Sequence, residues 1–116
     1  MNKYITDYNT AIGFDYDGTL SCHENMQLLA QYQQSRGNKV YIITKRNENE
    51  NDLEHGSKPV LDMASELGIP IEHVHFTSGG PKSPLINELG IIRFYDDQME
   101  NKLEIEENSN CKVMII

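Results

Sequence analysis

Five short apolar runs recur along the chain, and segments with helical periodicity separate them. Runs of this length predict strands, and the first run lacks the alternation of apolar and polar residues that a solvent-exposed face produces. Strands that alternate with helices over short connections favour right-handed crossovers and a parallel sheet covered on both faces. We therefore predict an α/β fold of three layers, α/β/α, around a mainly parallel sheet of five strands. The predicted strands cover residues 10–15, 39–44, 72–77, 91–96 and 111–116.

Four helices are predicted between these strands. The first begins in the segment Ser21-Cys22-His23-Glu24, which has the Ser-x-x-Glu form of a capping box, and it ends near Arg36. We expect Leu28, Leu29 and Tyr32 to form its inward face. The remaining helices are predicted near residues 57–67, 83–89 and 98–107, and the strongly polar segment 45–56 predicts a solvated loop.

Charge and composition limit the functional class. The formal charge of −8 and the 38% of hydrophobic residues fit one globular domain over residues 1–116, without a broad basic face for nucleic acid. No apolar run reaches the length of a membrane span, and the polar lead-in over residues 1–9 lacks a signal-peptide core. Cys22 and Cys111 follow no disulfide or metal-site spacing, so free thiols are expected. These features predict a cytoplasmic protein with no membrane partner.

Two aspartates stand at the end of the first predicted strand. Asp15 and Asp17 are two residues apart, and side chains at this spacing in a strand point to the same side. Two carboxylates this close repel each other unless a cation or a shared proton separates them, which indicates metal binding or proton transfer. Gly18 permits a sharp turn directly after the pair. The alternative interpretation is that these residues only end the strand as common turn formers.

Other chemically active residues follow the ends of further strands. Thr44 ends the second predicted strand, and Asp96 and Asp97 end the fourth. Lys82 begins the third predicted helix, so the topology places it at the same edge of the sheet. Because open parallel sheets bind their ligands beyond the carboxyl ends of the strands, we expect one site that contains all these residues.

The segment Asp15-Tyr16-Asp17-Gly18-Thr19-Leu20 resembles the first motif of the haloacid dehalogenase (HAD) superfamily, whose members are mostly magnesium-dependent phosphohydrolases. Ile42-Ile43-Thr44 is similar to the second motif, Lys82 to the third, and Phe94-Tyr95-Asp96-Asp97 to the fourth. The four segments follow one another in family order. The resemblance implies the Rossmann-like fold of that superfamily and a phosphatase reaction through an aspartyl-phosphate.

The resemblance also implies catalytic roles. Asp15 would be the nucleophile, and Asp17 would protonate the leaving group and later deprotonate the attacking water. Thr44 and Lys82 would contact the transferred phosphoryl group. The residues predicted to contact substrate are Gly18, Thr19, Lys45 and Arg46.

A magnesium site is the second implication of the resemblance. Its predicted ligands are Asp15, the backbone carbonyl of Asp17, Asp96 and Asp97. Two roles remain open for Asp97, which either orients a metal-bound water or caps the next helix.

Arg46 and the histidines have two interpretations each. Thr44-Lys45-Arg46 resembles the Thr-x-Arg variant of the second motif found in polynucleotide 3′-phosphatases, whereas a solvated charge explains Arg46 nearly as well. His73 and His75 share one face of a predicted strand and either bind a metal or are hydrogen-bonded core residues. The second interpretation is favoured, because no third ligand is visible.

The spacing between the motifs leaves no room for a cap domain. Capless members of the superfamily have open sites, which either accept the ends of macromolecules or are closed by another subunit. The expected partners are therefore a phosphorylated nucleic-acid end, a phosphoprotein, or a second copy of the chain. Two other functions are considered: a catalytically degenerate module that binds metal, phosphorylated ligands or a protein without turnover, and a receiver-like phospho-acceptor domain.

Overall fold

Five strands form one sheet within residues 9–116, the part of the chain that the computed structural model describes. The polar lead-in predicted for residues 1–9 lies, except for Asn9, outside the described residues. The strands are β1 (Ala11–Phe14), β2 (Lys39–Thr44), β3 (Val74–Phe76), β4 (Ile91–Asp96) and β5 (Lys112–Ile115). Their order across the sheet is β3-β2-β1-β4-β5. All four neighbouring pairs are parallel, which confirms the predicted sheet.

Two helices cover each face of this sheet. They are α1 (Glu24–Ser35), α2 (Lys58–Leu67), α3 (Ser83–Leu89) and α4 (Met99–Asn108). Ala30 of α1 and Val60 of α2 pack against one face, together with Ile12 and Phe14 of β1. Ile86 of α3 and Ile105 of α4 belong to a second cluster on the other face. The three-layer α/β/α fold is therefore confirmed.

The strand order reverses between β1 and β4. From β1 the chain proceeds to β2 and β3 on one side, then returns past β1 to β4 and β5 on the other. The connections that leave β1 and β4 therefore turn to opposite faces of the sheet, and such a reversal opens a crevice at the carboxyl ends of the strands. The same order differs from the 2-1-3-4-5 arrangement of receiver-like domains, which argues against the receiver-like interpretation.

The helix α1 begins within the predicted segment, and Leu29 packs against the core as predicted. The predicted cap and two of the three predicted inward residues are wrong. The helix begins at Glu24 after His23, and Ser21 makes no capping bond to it. The Ser21 hydroxyl instead accepts a hydrogen bond from the Gly18 N–H at 3.0 Å. Leu28 is 58% exposed and Tyr32 is 52% exposed, while Met26 and Ala30 are buried.

The physical reason lies in a polar residue on the buried stripe of α1. Gln34 follows Met26 and Ala30 at four-residue spacing, and its side chain donates a hydrogen bond to the Leu67 carbonyl of α2 at 2.9 Å. Gln34 is half-buried, and its amide has a hydrogen-bond partner, so a polar residue can occupy this position. The apolar pattern of the sequence therefore indicated only part of the inward face.

One further boundary and one helix cap also differ from what the sequence indicates. A short 3₁₀ turn, Ile71–His73, precedes β3 and shortens the predicted strand. Ser57 precedes α2 but donates its hydroxyl to the Glu50 carbonyl at 3.1 Å instead of capping the helix. The residues predicted to face inward from α3 are Leu85, Ile86 and Leu89, and all three do so: Ile86 is buried, and the other two are partly buried against the same core cluster. No helix among residues 9–116 is both long enough and apolar enough to cross a membrane.

Candidate functional site

Lys82 joins two carboxylates at the crevice between β1 and β4. Its Nζ lies 2.7 Å from Oδ1 of Asp15 and 3.1 Å from Oδ2 of Asp96. The Lys82 side chain is 1% exposed, and those of Asp15 and Asp96 are 8% and 0% exposed. Buried charges of this kind persist only when they are paired, so the three side chains form one electrostatic unit.

Asp15 is positioned by the sheet itself. Its backbone N–H donates to the Tyr95 carbonyl at 2.9 Å, which continues the pairing of β1 with β4 by one residue. Burial raises the pKa of the Asp15 carboxyl to about 7, against the lowering effect of Lys82, and the charges of Asp96 and Asp97 raise it further. Burial therefore outweighs the effect of the Lys82 ammonium on the pKa of this carboxyl.

Asp96 is held from the first turns of α4. The Gln98 N–H donates to its Oδ1 at 2.9 Å, and the Asn101 side chain donates to its Oδ2 at 3.0 Å. Together with Lys82, these groups give a fully buried carboxylate three donors, which compensates for its lost hydration. Asn101 is a site residue that the sequence analysis missed. The sequence does contain an indication of this role: Asn101 lies four residues before the buried Ile105, so a polar side chain occupies the inward face of the helix.

Asp97 lies against the turn that follows β1. A Cβ at Gly18, where φ is +75°, would overlap the Asp97 carboxylate, so only glycine permits this approach. Oδ1 of Asp97 is buried and has no hydrogen-bond partner among the described residues. Its Oδ2 accepts a bond from the Gln98 side chain at 3.3 Å. Gln98 precedes α4 as its cap residue, and Asp97 makes no capping bond to the helix.

Asp17 does not belong to the cluster formed by Asp15, Asp96 and Asp97. Its side chain is 57% exposed and forms a two-pronged ion pair with Arg46, with Nε–Oδ2 at 3.0 Å and Nη2–Oδ1 at 2.7 Å. Arg46 also donates to the Gly56 carbonyl at 2.9 Å and lies 5.0 Å above the centroid of the Tyr16 ring. Arg46 is therefore neither a free surface charge nor a group directed at the buried acids.

Thr44 and Thr19 are both fully buried. The Thr44 hydroxyl accepts a bond from the Arg46 N–H at 3.2 Å, and the Thr19 hydroxyl lies 3.4 Å from Oδ2 of Asp15 and donates to it. The backbone of Lys45 is fixed by the Gly79 N–H, which donates to its carbonyl at 2.8 Å. The Lys45 side chain is exposed.

A pocket of about 240 Å³ lies over the acidic cluster. Predicted site residues that line this pocket are Asp15, Asp17, Gly18, Lys45, Lys82 and Asp97. Thr19, Thr44 and Asp96 are buried and do not line the pocket. Arg46 does not line it either, but it pairs with Asp17, which does. Six of the ten predicted site residues therefore line one small opening.

The donor set of the site fits a hard divalent cation. Asp15, Asp96 and Asp97 each offer a carboxylate oxygen, and these oxygens all lie within 4.8 Å of one another. The unpartnered Oδ1 of Asp97 is a buried acceptor that a cation would satisfy. Oxygen ligands are those that Mg²⁺ prefers. The carboxylate of Asp17 is not in this group, because it pairs with Arg46.

His73 and His75 do not belong to the cluster of Asp15, Asp96 and Asp97. His73 lies in the 3₁₀ turn, where its Nδ1 is 2.9 Å from the Val40 carbonyl and its ring stacks on Tyr41 at 4.4 Å. Burial lowers the pKa of His75. Within residues 9–116, neither histidine belongs to a group of side chains placed to hold a metal.

No model of a known protein family matches this sequence, and no curated protein matches it significantly.

Proposed function

We propose that this protein is a magnesium-dependent phosphatase of the HAD type that hydrolyses a phosphate monoester through a phosphorylated Asp15. The observation that carries the proposal is the position of Lys82 Nζ, within 3.1 Å of both Asp15 and Asp96 at the strand-order reversal. A lysine held there counters the charge of the nucleophile and of a phosphoryl group that approaches it.

In the first step, an oxygen of Asp15 attacks the phosphorus atom, and the bond from phosphorus to the leaving oxygen breaks. For this step Asp17 must first separate from Arg46 and take up a proton. It then gives this proton to the leaving oxygen, and the product is an alcohol. In the second step, Asp17 takes a proton from a water molecule, and the water oxygen attacks the phosphorus of phospho-Asp15. The Asp15–phosphate bond then breaks, and inorganic phosphate leaves.

Asp15, Asp96 and Asp97 would hold the magnesium ion, with the backbone carbonyl of Asp17 as a further ligand. The bound ion would offset the negative charge shared by the carboxylates and the phosphoryl oxygens. Asn101 and Gln98 keep Asp96 oriented. The Lys82 ammonium offsets part of the negative charge of the Asp15 and Asp96 carboxylates, with which it forms ion pairs.

The substrate we favour is a phosphate at a nucleic-acid end, with a phosphoprotein as the second choice. Between β2 and α2 the described chain contains only the loop 45–57, and between β1 and α1 only the turn 15–23. Neither insertion is large enough to cover a small ester, so remote binding energy must come from a large substrate or from a second copy of the chain. Lys45 is an exposed cation at the pocket and could contact the phosphates of such a substrate.

The cytoplasmic location of the protein remains a prediction.

A binding module without turnover is the second candidate, and the pairing of Asp17 favours it. Both oxygens of the Asp17 carboxylate accept hydrogen bonds from Arg46, so the proposed acid and base is engaged in an ion pair. A module of this kind would bind Mg²⁺ and a phosphorylated ligand or protein partner, and release no phosphate.

A phosphate-release screen separates the two candidates. The substrates are sugar phosphates, nucleotides, phosphopeptides and end-phosphorylated oligonucleotides, each with Mg²⁺ and with a chelator, and the control protein is Asp15→Asn. Release that requires both Mg²⁺ and Asp15 supports the phosphatase. Binding of phosphorylated ligands without release by the wild-type protein would support the module instead.

A further inference from the structure

We propose that Glu104 is a positioning residue for Lys82, a role that rests on the proposed phosphatase function. Oε1 of Glu104 accepts hydrogen bonds from the backbone N–H groups of Lys82 at 3.1 Å and of Ser83 at 3.2 Å. The other carboxylate oxygen, Oε2, accepts the Ser83 hydroxyl. One carboxylate from α4 thus holds the start of α3, where the Lys82 side chain enters the site.

Lys82 needs such support, because its own helix is short. α3 has seven residues, and no side chain of its cap residue satisfies its first N–H groups. The Lys82 side chain is 1% exposed and reaches two carboxylates on different strands. A shift in the backbone of Lys82 would therefore lengthen both ion pairs at once.

The same face of α4 also fixes the partner of Lys82. Asn101 and Glu104 are three residues apart, so their side chains lie on one side of the helix. Asn101 donates to Oδ2 of Asp96, the oxygen that also pairs with Lys82. α4 therefore holds the Asp96 carboxylate through Asn101 and the Lys82 backbone through Glu104, and this sets their separation.

A second link between α3 and α4 provides a matched control. The Asn87 side chain donates to the Asn108 carbonyl at 2.9 Å, near the opposite end of α3. Asn87→Ala removes a contact between the same two helices but leaves the start of α3 intact. If Glu104 only joined the helices, loss of either contact would have the same effect on turnover.

The experiment compares Glu104→Ala, Glu104→Gln and Asn87→Ala in steady-state hydrolysis of the best substrate from the phosphate-release screen, with saturating Mg²⁺. Glu104→Ala is expected to lower kcat by about 10- to 100-fold with a smaller change in KM, because small misplacements of a charge-stabilising group have effects of this size. Glu104→Gln keeps an oxygen for both N–H groups and should retain most activity, and Asn87→Ala should retain kcat. Glu104→Ala should have no further effect in a Lys82→Ala background.

Equal losses of kcat in Glu104→Ala and Asn87→Ala, or a Glu104→Ala loss that persists without Lys82, would overturn the proposal. Should Glu104→Ala fail to fold, Glu104→Asp keeps the charge but shortens its reach, and it carries the same expected loss. If the wild-type protein hydrolyses none of the substrates in the screen, the proposed function fails, and hydrogen exchange of the Lys82 ammonium group, followed by NMR, decides on Glu104. This ammonium is paired with Asp15 and Asp96, so faster exchange of its protons in Glu104→Ala than in Asn87→Ala supports the positioning role, and equal exchange contradicts it.

Discussion

Arg46 occupies both carboxylate oxygens of Asp17, at 2.7 and 3.0 Å, and thereby ties the turn after β1 to the loop after β2. The Arg46 side chain is 13% exposed, and its Nη1 donates a hydrogen bond to the Gly56 carbonyl. The pair therefore joins two segments that lie 29 residues apart in the sequence.

We expect Arg46→Ala to destabilise the protein by about 1–3 kcal/mol, since charged hydrogen bonds to a largely buried donor are lost. The matched control is Lys58→Ala, which breaks the exposed ion pair between Lys58 and Asp62 at 3.2 Å. Exposed pairs of this kind contribute at most about 0.5 kcal/mol. Urea denaturation of the three proteins measures the difference. Equal losses in the two variants would show that the Arg46 pair is no more than a surface contact.

The raised pKa of Asp15 predicts a pH dependence of stability in metal-free protein. Burial raises this pKa from 3.8 to about 7, so between these pH values the folded state binds more protons at Asp15 than the unfolded state. The free energy of unfolding should therefore fall as pH rises through this window, with a maximal slope of about 1.4 kcal/mol per pH unit.

Asp15→Asn lacks this titration and is the reference protein. In a chelator, urea denaturation from pH 4 to pH 8 should show wild-type stability decreasing relative to Asp15→Asn. Parallel curves for the two proteins would contradict the raised pKa.

Asp96 and Asp97 should respond in opposite ways to removal of their charge. Asp97 has a buried oxygen without a partner, so Asp97→Asn relieves repulsion and should raise the metal-free Tm by about 2–5 °C. The Asp96 carboxylate accepts hydrogen bonds from Lys82, Gln98 and Asn101. In Asp96→Asn one of these acceptor oxygens becomes an NH₂ group, which cannot accept from a donor, so this variant should have a lower Tm.

Differential scanning calorimetry with chelator and with Mg²⁺ measures both effects. Mg²⁺ should raise the Tm of the wild-type protein more than that of either variant, because each variant loses one ligand. A Tm gain from Mg²⁺ that is the same in all three proteins would place the ion elsewhere.

The two thiols should differ in reactivity. Cys22 is exposed, whereas Cys111 is buried, and burial raises the pKa of the Cys111 thiol to about 12. Iodoacetamide at pH 8 should therefore modify Cys22 in the folded protein and reach Cys111 only after unfolding. Mass spectrometry of the digested protein locates the label. Rapid labelling of Cys111 under native conditions would contradict its place in the core beneath α4.

The sheet and the convergence of the site residues could be predicted from the sequence, because both follow from the alternation of strands and helices. Asp15, Asp96 and Lys82 each lie next to the end of a strand or the start of a helix, and parallel topology brings such positions to one edge. The free state of both thiols also followed from their spacing.

The rest depends on contacts between segments that are distant in the sequence. Ser21 and Glu24 fit a local capping pattern, but the Ser21 hydroxyl accepts a hydrogen bond from the Gly18 N–H and does not cap the helix. The pairing of Asp17 with Arg46 and the support that Glu104 gives to Lys82 are set by the tertiary fold. No local pattern of residues indicates such partners.

The most direct test of the proposed mechanism is to trap the phosphorylated enzyme. The wild-type protein and Asp15→Asn are mixed with Mg²⁺ and the best substrate from the release screen, quenched in acid within the first turnover, and digested for mass spectrometry. The mechanism predicts one phosphoryl group on the wild-type peptide that contains Asp15, and none on the variant. Phosphate release by the wild-type protein without a phosphorylated Asp15, or release by Asp15→Asn at the wild-type rate, would contradict it.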